Sequence, residues 1–241
     1  MYPSLPVGPL SLPTAQIFAL AAAWIGLSVM AQMGKRLRLD PDLIWNLGTI
    51  ALAAGVIVAR LGHAVQFWSI YQAQPLLLVS IRPGGLAFWP GLIGALIAAY
   101  AYLIRKRADP LPVAVAAVFG LLTGGAVLEI ANYLTGAVVG TPSALPWALA
   151  YFGELRHPLA LYRALGMLLL VGGFLLWGNW RRPGRVAAQA IFAYALLRLL
   201  TDGFAADAQL IGSVRLSQFV ALVVALAAAL VLARQPEKSD G

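Results

Sequence analysis

Cysteine is absent from the 241 residues and charge is scarce: Asp, Glu, Lys and Arg make up 11%, with 9 acidic residues and 2 histidines. Without a thiol the chain has neither a disulfide framework nor a thiolate metal site. Typical soluble domains carry about 25% charged residues, so this deficit excludes a soluble enzyme. Disorder is excluded too, because the 24 Gly and 15 Pro are scattered among apolar residues rather than gathered into tracts. What fills the chain is hydrocarbon: 61% of residues are hydrophobic and mean hydropathy is +0.83. Apolar runs of about 18 residues or more recur, the length that crosses a bilayer. The composition is that of an all-α polytopic membrane protein.

Apolar stretches bounded by charge or proline predict seven transmembrane helices, over about 14–33, 43–65, 84–104, 111–131, 158–178, 186–204 and 214–233. They form one transmembrane domain over 1–241. Eleven of the 17 basic residues fall in the first, third and fifth connections (Lys35 to Arg38, Arg105 to Arg107, Arg181 to Arg185) or in the tail (Arg234, Lys238). The positive-inside rule puts these in the cytoplasm, which leaves the N-terminus and the segment 132–157 outside and the C-terminus inside. The first apolar run has no basic residue before it and is span-length, so it reads as a retained helix. The net charge of +8 is then a matter of orientation and attraction to anionic lipid, with no nucleic acid implied.

Six basic residues remain: Arg60, Arg82, Arg156, Arg163, Arg198 and Arg215. A charge in mid-helix costs about 2.5–3.5 kcal/mol on insertion scales, so such residues need partners or water. With the orientation above, Arg60, Glu129, Arg163, Arg198 and Asp202 all fall in the outer half of their spans. Tyr194, Arg198 and Asp202 are spaced i, i+4, i+8 and share a helix face; Glu129 and Asn132 share another. Asp202 can pair with Arg198 as a purely structural contact. Counted together, however, three arginines (60, 163, 198) outnumber the two acids, and an excess of buried positive charge calls for an anion. The abundant anion at that depth is a phospholipid phosphate, which Arg binds bidentately.

His63 and His157 read as interfacial hydrogen-bonding residues, and two histidines without acidic or Cys clustering give no metal site; no cofactor is expected. Gly84 and Gly85 with Gly91 and Gly94, Gly120 with Gly124, and Gly172 with Gly173 read as small-residue helix-packing faces rather than nucleotide loops. The stretch 144–153 is too short to span and reads as an interfacial or re-entrant piece anchored by Trp147, Tyr151 and Phe152.

Several stretches occur in an order that resembles the prolipoprotein diacylglyceryl transferase family. They are Gly8-Pro9 to Leu12, Ala59-Arg60-Leu61-Gly62, Gly84 to Gly94, Asn132 to Gly136 with Gly140, Arg156-His157-Pro158 to Tyr162, and Tyr194 to Arg198 with Asp202. The resemblance covers nearly the whole chain. It implies a seven-helix protein of the bacterial cytoplasmic (inner) membrane that moves diacylglyceryl from phosphatidylglycerol to the lipobox cysteine thiol of a prolipoprotein. It also implies that Arg60, Asn132, Gly140, Tyr194 and Arg198 bind lipid headgroup and leaving phosphate.

Four positions depart from that pattern: Trp89 stands where the family usually has His, Glu129 for its signature Arg, Ala137 for an acidic residue, and Ala15 near its helix-one aromatic. In addition, Arg163 follows Leu161-Tyr162 where the family has Glu. Trp cannot accept a proton, and Glu129 repels a phosphate. The departures point to a diverged member, a pseudoenzyme that binds an anionic phospholipid in an outward-facing cavity with lost or altered catalysis, or serves as a membrane subunit of a larger assembly. The alternative is an active transferase. Because a cation became an anion at 129 and an anion a cation at 163, Glu129 is expected to pair with Arg163.

Overall fold

The computed structural model describes residues 2–7, 10–79, 85–151, 153–212 and 214–234. Gly8, Pro9, Arg82, Gly84, Phe152 and Lys238, singled out above, lie outside them. A short hairpin, β1 (Ser4–Val7) and β2 (Leu10–Pro13), leads into α1 (Thr14–Arg36), α2 (Pro41–Gln66), the short α3 (Trp68–Ala73), α4 (Phe88–Lys106) and α5 (Pro110–Thr135). A second hairpin, β3 (Leu149–Tyr151) with β4 (Glu154–Arg156), precedes α6 (Leu159–Trp177) and α7 (Pro183–Thr201). The two-residue strands β5 (Leu210–Ile211) and β6 (Val214–Arg215) precede α8 (Leu216–Ala233). Seven of the helices are long and apolar enough to cross a membrane, and the chain is a multi-pass membrane protein.

The expected spans shift at their ends for local reasons. Helix α4 begins at Phe88 rather than near 84 because Gly85 sits at φ +74°, outside helical backbone. Helix α5 runs on through Asn132 to Thr135 and stops where Gly136 takes φ +70°, a left-handed C-terminal cap. The segment expected as external therefore starts inside α5. Pro183 opens α7 at a position where its missing N–H costs nothing. Asp40 caps α2 by accepting from the Asp42 amide at 2.9 Å, with Pro41 as the first helical residue.

The chain forms two compact units, 1–33 with 115–241 and 34–114. In the larger, α7 packs against α6 and α8. Helix α1 meets α5 through glycines: a Cβ on Gly26 would lie 2.9 Å from the Gly120 carbonyl oxygen, and one on Gly124 equally close to that of Ala22. In the smaller unit α2 lies along α4 in the same manner, since a Cβ on Gly91 would fall 2.7 Å from that of Ala59 and one on Gly94 2.6 Å from that of Val58. Hydrocarbon gives helices no hydrophobic reason to associate, so close backbone approach and dispersion hold such pairs together. Gly91, Gly94, Gly120 and Gly124, read from sequence as packing faces, make these contacts; Gly85 instead approaches Arg60, and among the described residues a Cβ on Gly172 would meet nothing within 4 Å and one on Gly173 only Trp177 of its own helix.

Candidate functional site: a buried charge quartet

Four ionisable side chains converge at one end of the larger unit, where α5 and α7 finish and α6 starts. Asp202 is the hub. It sits in the 3-10 turn Asp202–Phe204 that ends α7 and is 0% exposed. Its Oδ1 accepts from Arg163 Nη2 at 2.6 Å, and its Oδ2 accepts from Arg198 Nη2 at 2.9 Å and Nε at 3.2 Å. A third arginine closes the turn from α8's side: Arg215 Nη1 donates to the carbonyls of Asp202 and Ala205, at 2.9 and 2.8 Å.

Glu129 completes the set from α5. Its Oε2 accepts from Asn132 Nδ2 at 3.1 Å, the i, i+3 pairing expected on that face. Its Oε1 lies 3.7 Å from Arg163 Nη1 and 4.0 Å from Arg198 Nη1, within ion-pair reach but beyond hydrogen-bond length. The expected Glu129–Arg163 pair is thus present as the longer of two contacts. Glu129 and Arg163 are buried, while the Arg198 side chain keeps 28% exposure. Two guanidinium and two carboxylate groups cancel, which is the condition for holding such charges out of water. Tyr194 lies one turn before Arg198 on the same helix face and is half-buried.

Beside the quartet the chain between α5 and α6 is woven to the turn after α7. Gly140 bridges Ala205 and Pro142 bridges Arg156, while the Thr141 amide donates to the Phe204 carbonyl at 2.8 Å and the His157 amide to that of Thr141 at 3.1 Å. Gly140 has no room for a side chain: a Cβ there would collide with the His157 carbonyl oxygen. Its own carbonyl accepts from Arg156 Nη1 at 3.2 Å. Trp147 Nε1 donates to the Tyr162 hydroxyl at 2.8 Å, and His157 Nδ1 lies 3.3 Å from the same oxygen. Since indole only donates, the Tyr162 proton is free to go to His157. Sequence reasoning missed this trio, because contacts over 15 residues between a coil and a helix leave no periodic trace.

The stretch 144–153 carries strand β3 and the turn of its hairpin, where Gly153 takes φ +86°. Tyr151 is buried edge-on to Tyr133, ring centroids 6.1 Å apart. Its hydroxyl finds no partner among the described residues, and burial, with Tyr133 adding to it, pushes its pKa up to about 12.

Arg60 belongs to the smaller unit, and its surroundings are of a different kind. Its guanidinium donates to backbone carbonyls, Nε to Leu78 at 3.1 Å, Nη1 to Gly85 at 3.0 Å and Nη2 to Leu77, and it lies 5.6 Å from the Tyr71 ring centroid. His63 Nδ1 and the Tyr71 hydroxyl are 3.0 Å apart. A Cβ on Gly85 would collide with Arg60 Nη1, which accounts for the glycine. Trp89 is 70% exposed at the start of α4, edge-to-face with Phe88, and Pro90 packs where Gly62 leaves space.

Of the residues implicated by resemblance, then, Asn132, Gly140, Tyr194 and Arg198 cluster in the larger unit, and Arg60 works within the smaller. A family model described as prolipoprotein diacylglyceryl transferase matches residues 4–234. The chain is 32% identical to the phosphatidylglycerol–prolipoprotein diacylglyceryl transferase of Methylococcus capsulatus over 204 residues, 77% of this chain and 73% of that one. It is 28% identical to the protein of the same description in Clostridioides difficile over 202 residues, covering 83% and 81% of the two chains. A match across nearly every element described above, in chains of similar span, leaves one conclusion: this protein belongs to the prolipoprotein diacylglyceryl transferase family.

Proposed function

We propose that this protein is a member of the family that binds a phospholipid through the Arg198 end of the quartet and does not transfer its diacylglyceryl group to a thiol. The observation that carries this reading is the closure of the charge set. Transfer from phosphatidylglycerol needs free cations to steady a departing phosphate and a group that generates thiolate. Here both guanidinium groups of the quartet are already engaged by Asp202, at 2.6 and 2.9 Å, and a carboxylate stands next to them. Trp89 offers no lone pair for a proton. What is left is the exposed edge of Arg198 with Tyr194 beside it, enough to hold a phosphate without expelling it as a leaving group.

An active transferase is the second reading, favoured by the names of the relatives, which describe action on phosphatidylglycerol and prolipoprotein. One assay separates the two. Purified protein is given phosphatidylglycerol labelled in its acyl chains and a lipobox peptide; the expected result is retained lipid and no thioether-linked product, whereas product above a no-protein blank establishes the enzyme.

The reading places the quartet in the outer half of a bacterial inner membrane, with the N-terminus outside and the basic connections in the cytoplasm. Because the chain has no Cys, a single one introduced at Lys106 carries all the label. An impermeant maleimide should reach it only after cells are opened; labelling of intact cells reverses the orientation.

A further inference from the structure

We infer that the headgroup taken by the quartet is a zwitterion, an ammonium joined to a phosphodiester as in phosphatidylethanolamine, in preference to a net-anionic headgroup. The inference rests on the phospholipid reading above and specifies the ligand's chemistry.

The quartet divides into a satisfied side and an open side. Around Asp202 the arginine contacts are hydrogen bonds of 2.6 to 3.2 Å, and both carboxylate oxygens are occupied. Toward Glu129 the contacts lengthen. Oε2 is taken by Asn132, but Oε1 accepts no hydrogen bond among the described residues and stands 3.7 and 4.0 Å from Nη1 of Arg163 and of Arg198. Those two Nη1 groups likewise donate no hydrogen bond among the described residues. One carboxylate oxygen and two guanidinium donors therefore lie side by side with their strongest interactions unmade. Such a triad is complementary to a ligand that carries an acceptor and a cationic donor on neighbouring atoms.

Charge leads to the same ligand. A phosphodiester alone would add a third anion to Glu129 and Asp202, within a few ångströms of Glu129, in surroundings that screen poorly. A phosphodiester with its own ammonium adds no net charge, and the ammonium answers Glu129 while the phosphate meets the Arg198 edge. Arg215, the next cation, is turned to the backbone carbonyls of Asp202 and Ala205. The excess of three arginines over two acids in the sequence includes Arg60, which sits in the smaller unit among carbonyls. Within the larger unit the quartet itself counts two against two.

The test uses the full-length protein in detergent, equilibrated with an equimolar mixture of phosphatidylethanolamine, phosphatidylcholine and phosphatidylglycerol bearing identical acyl chains, with bound lipid counted by native mass spectrometry. Phosphatidylethanolamine should be retained about fivefold over phosphatidylglycerol, the scale of one modest ion pair, with phosphatidylcholine between them because its quaternary ammonium has no N–H to donate. Glu129→Gln should bring the ratio to about one, and Glu129→Asp should keep the preference. Equal or greater retention of phosphatidylglycerol by the unaltered protein overturns the inference, as does an unmoved ratio in a folded Glu129→Gln. If that variant does not fold, the series on the unaltered protein decides. Retention of no phospholipid overturns the underlying reading along with it. Loss of the lipid on adding excess free phosphoethanolamine assigns the site to a soluble zwitterion and overturns the lipid assignment alone.

Discussion

Arg60 in one unit and Arg163 and Arg198 in the other look alike as residues, each an arginine within or beside an apolar run, yet the fold stabilises them by different means. Arg60 is held by dipoles: the carbonyls of Leu77, Leu78 and Gly85 and the face of Tyr71 lower its energy. Arg163 and Arg198 are surrounded by charge, and Asp202 and Glu129 cancel them. The comparison teaches that a cation in a span has no fixed meaning. Carbonyl dipoles clamp a loop, whereas carboxylates close a cluster and cancel its charge.

The comparison is broken most directly at Asp202. Replacing it with Asn should cost about 3–5 kcal/mol, because both guanidinium groups would lose their short partner while remaining largely buried. Arg60→Ala in the other unit should cost less, about 1.5–3 kcal/mol, for the loss of hydrogen bonds from a charged group to carbonyls. Thermal unfolding in one detergent, followed by tryptophan emission, ranks the two; equal losses would mean that carbonyls and carboxylates hold arginine equally well.

Double-mutant cycles sharpen the account within the quartet. Coupling between Arg163 and Asp202 should reach about 2–3 kcal/mol, and that between Arg163 and Glu129 about 1 kcal/mol or less, in keeping with 2.6 against 3.7 Å. The charge swap Glu129→Arg with Arg163→Glu should not restore stability, because the new glutamate would face Asp202. Recovery on swapping would show that Glu129, not Asp202, is the partner of Arg163. On the side of the smaller unit, Arg60→Lys should recover little of the loss seen with Ala, since an ammonium cannot address three carbonyls as a planar fork does.

The smallest effect is expected at Tyr151, where an unpartnered hydroxyl is buried. Tyr151→Phe should leave stability unchanged or raise it by about 1 kcal/mol. With the phenol pKa raised from 10.0 to about 12, the folded state holds this proton more tightly than the unfolded one. Its contribution is complete below pH 10 and is lost as pH rises toward 12, so alkaline unfolding should set in later for the Phe variant. A variant that unfolds at the same pH would place a partner on that hydroxyl.

Much of this was legible in the sequence because a bilayer admits few solutions. Backbone polar groups must be satisfied inside each span, so seven apolar runs meant seven helices, and the close-packed glycines marked where pairs of helices touch. Punctuation by Gly and Pro came within a few residues of the true ends; it failed at 85–87 and 132–135, where the sign of a single φ decided the boundary. The i, i+3 and i, i+4 relations of Glu129 with Asn132 and of Arg198 with Asp202 are local geometry, and both are hydrogen bonds in the fold.

The sequence by itself determined that the chain lives in a membrane, which family its motifs resemble, and which charged residues need an explanation. It did not determine who answers whom. Asp202 is 39 residues from Arg163 and far nearer in sequence to Arg198, yet it serves both, while Glu129 became the more distant partner. That choice depends on where α7 ends and how its last turn tips a carboxylate between two helices. Only the tertiary structure decided it, because the energy of a buried charge is set by distances of a few tenths of an ångström in a medium that screens little.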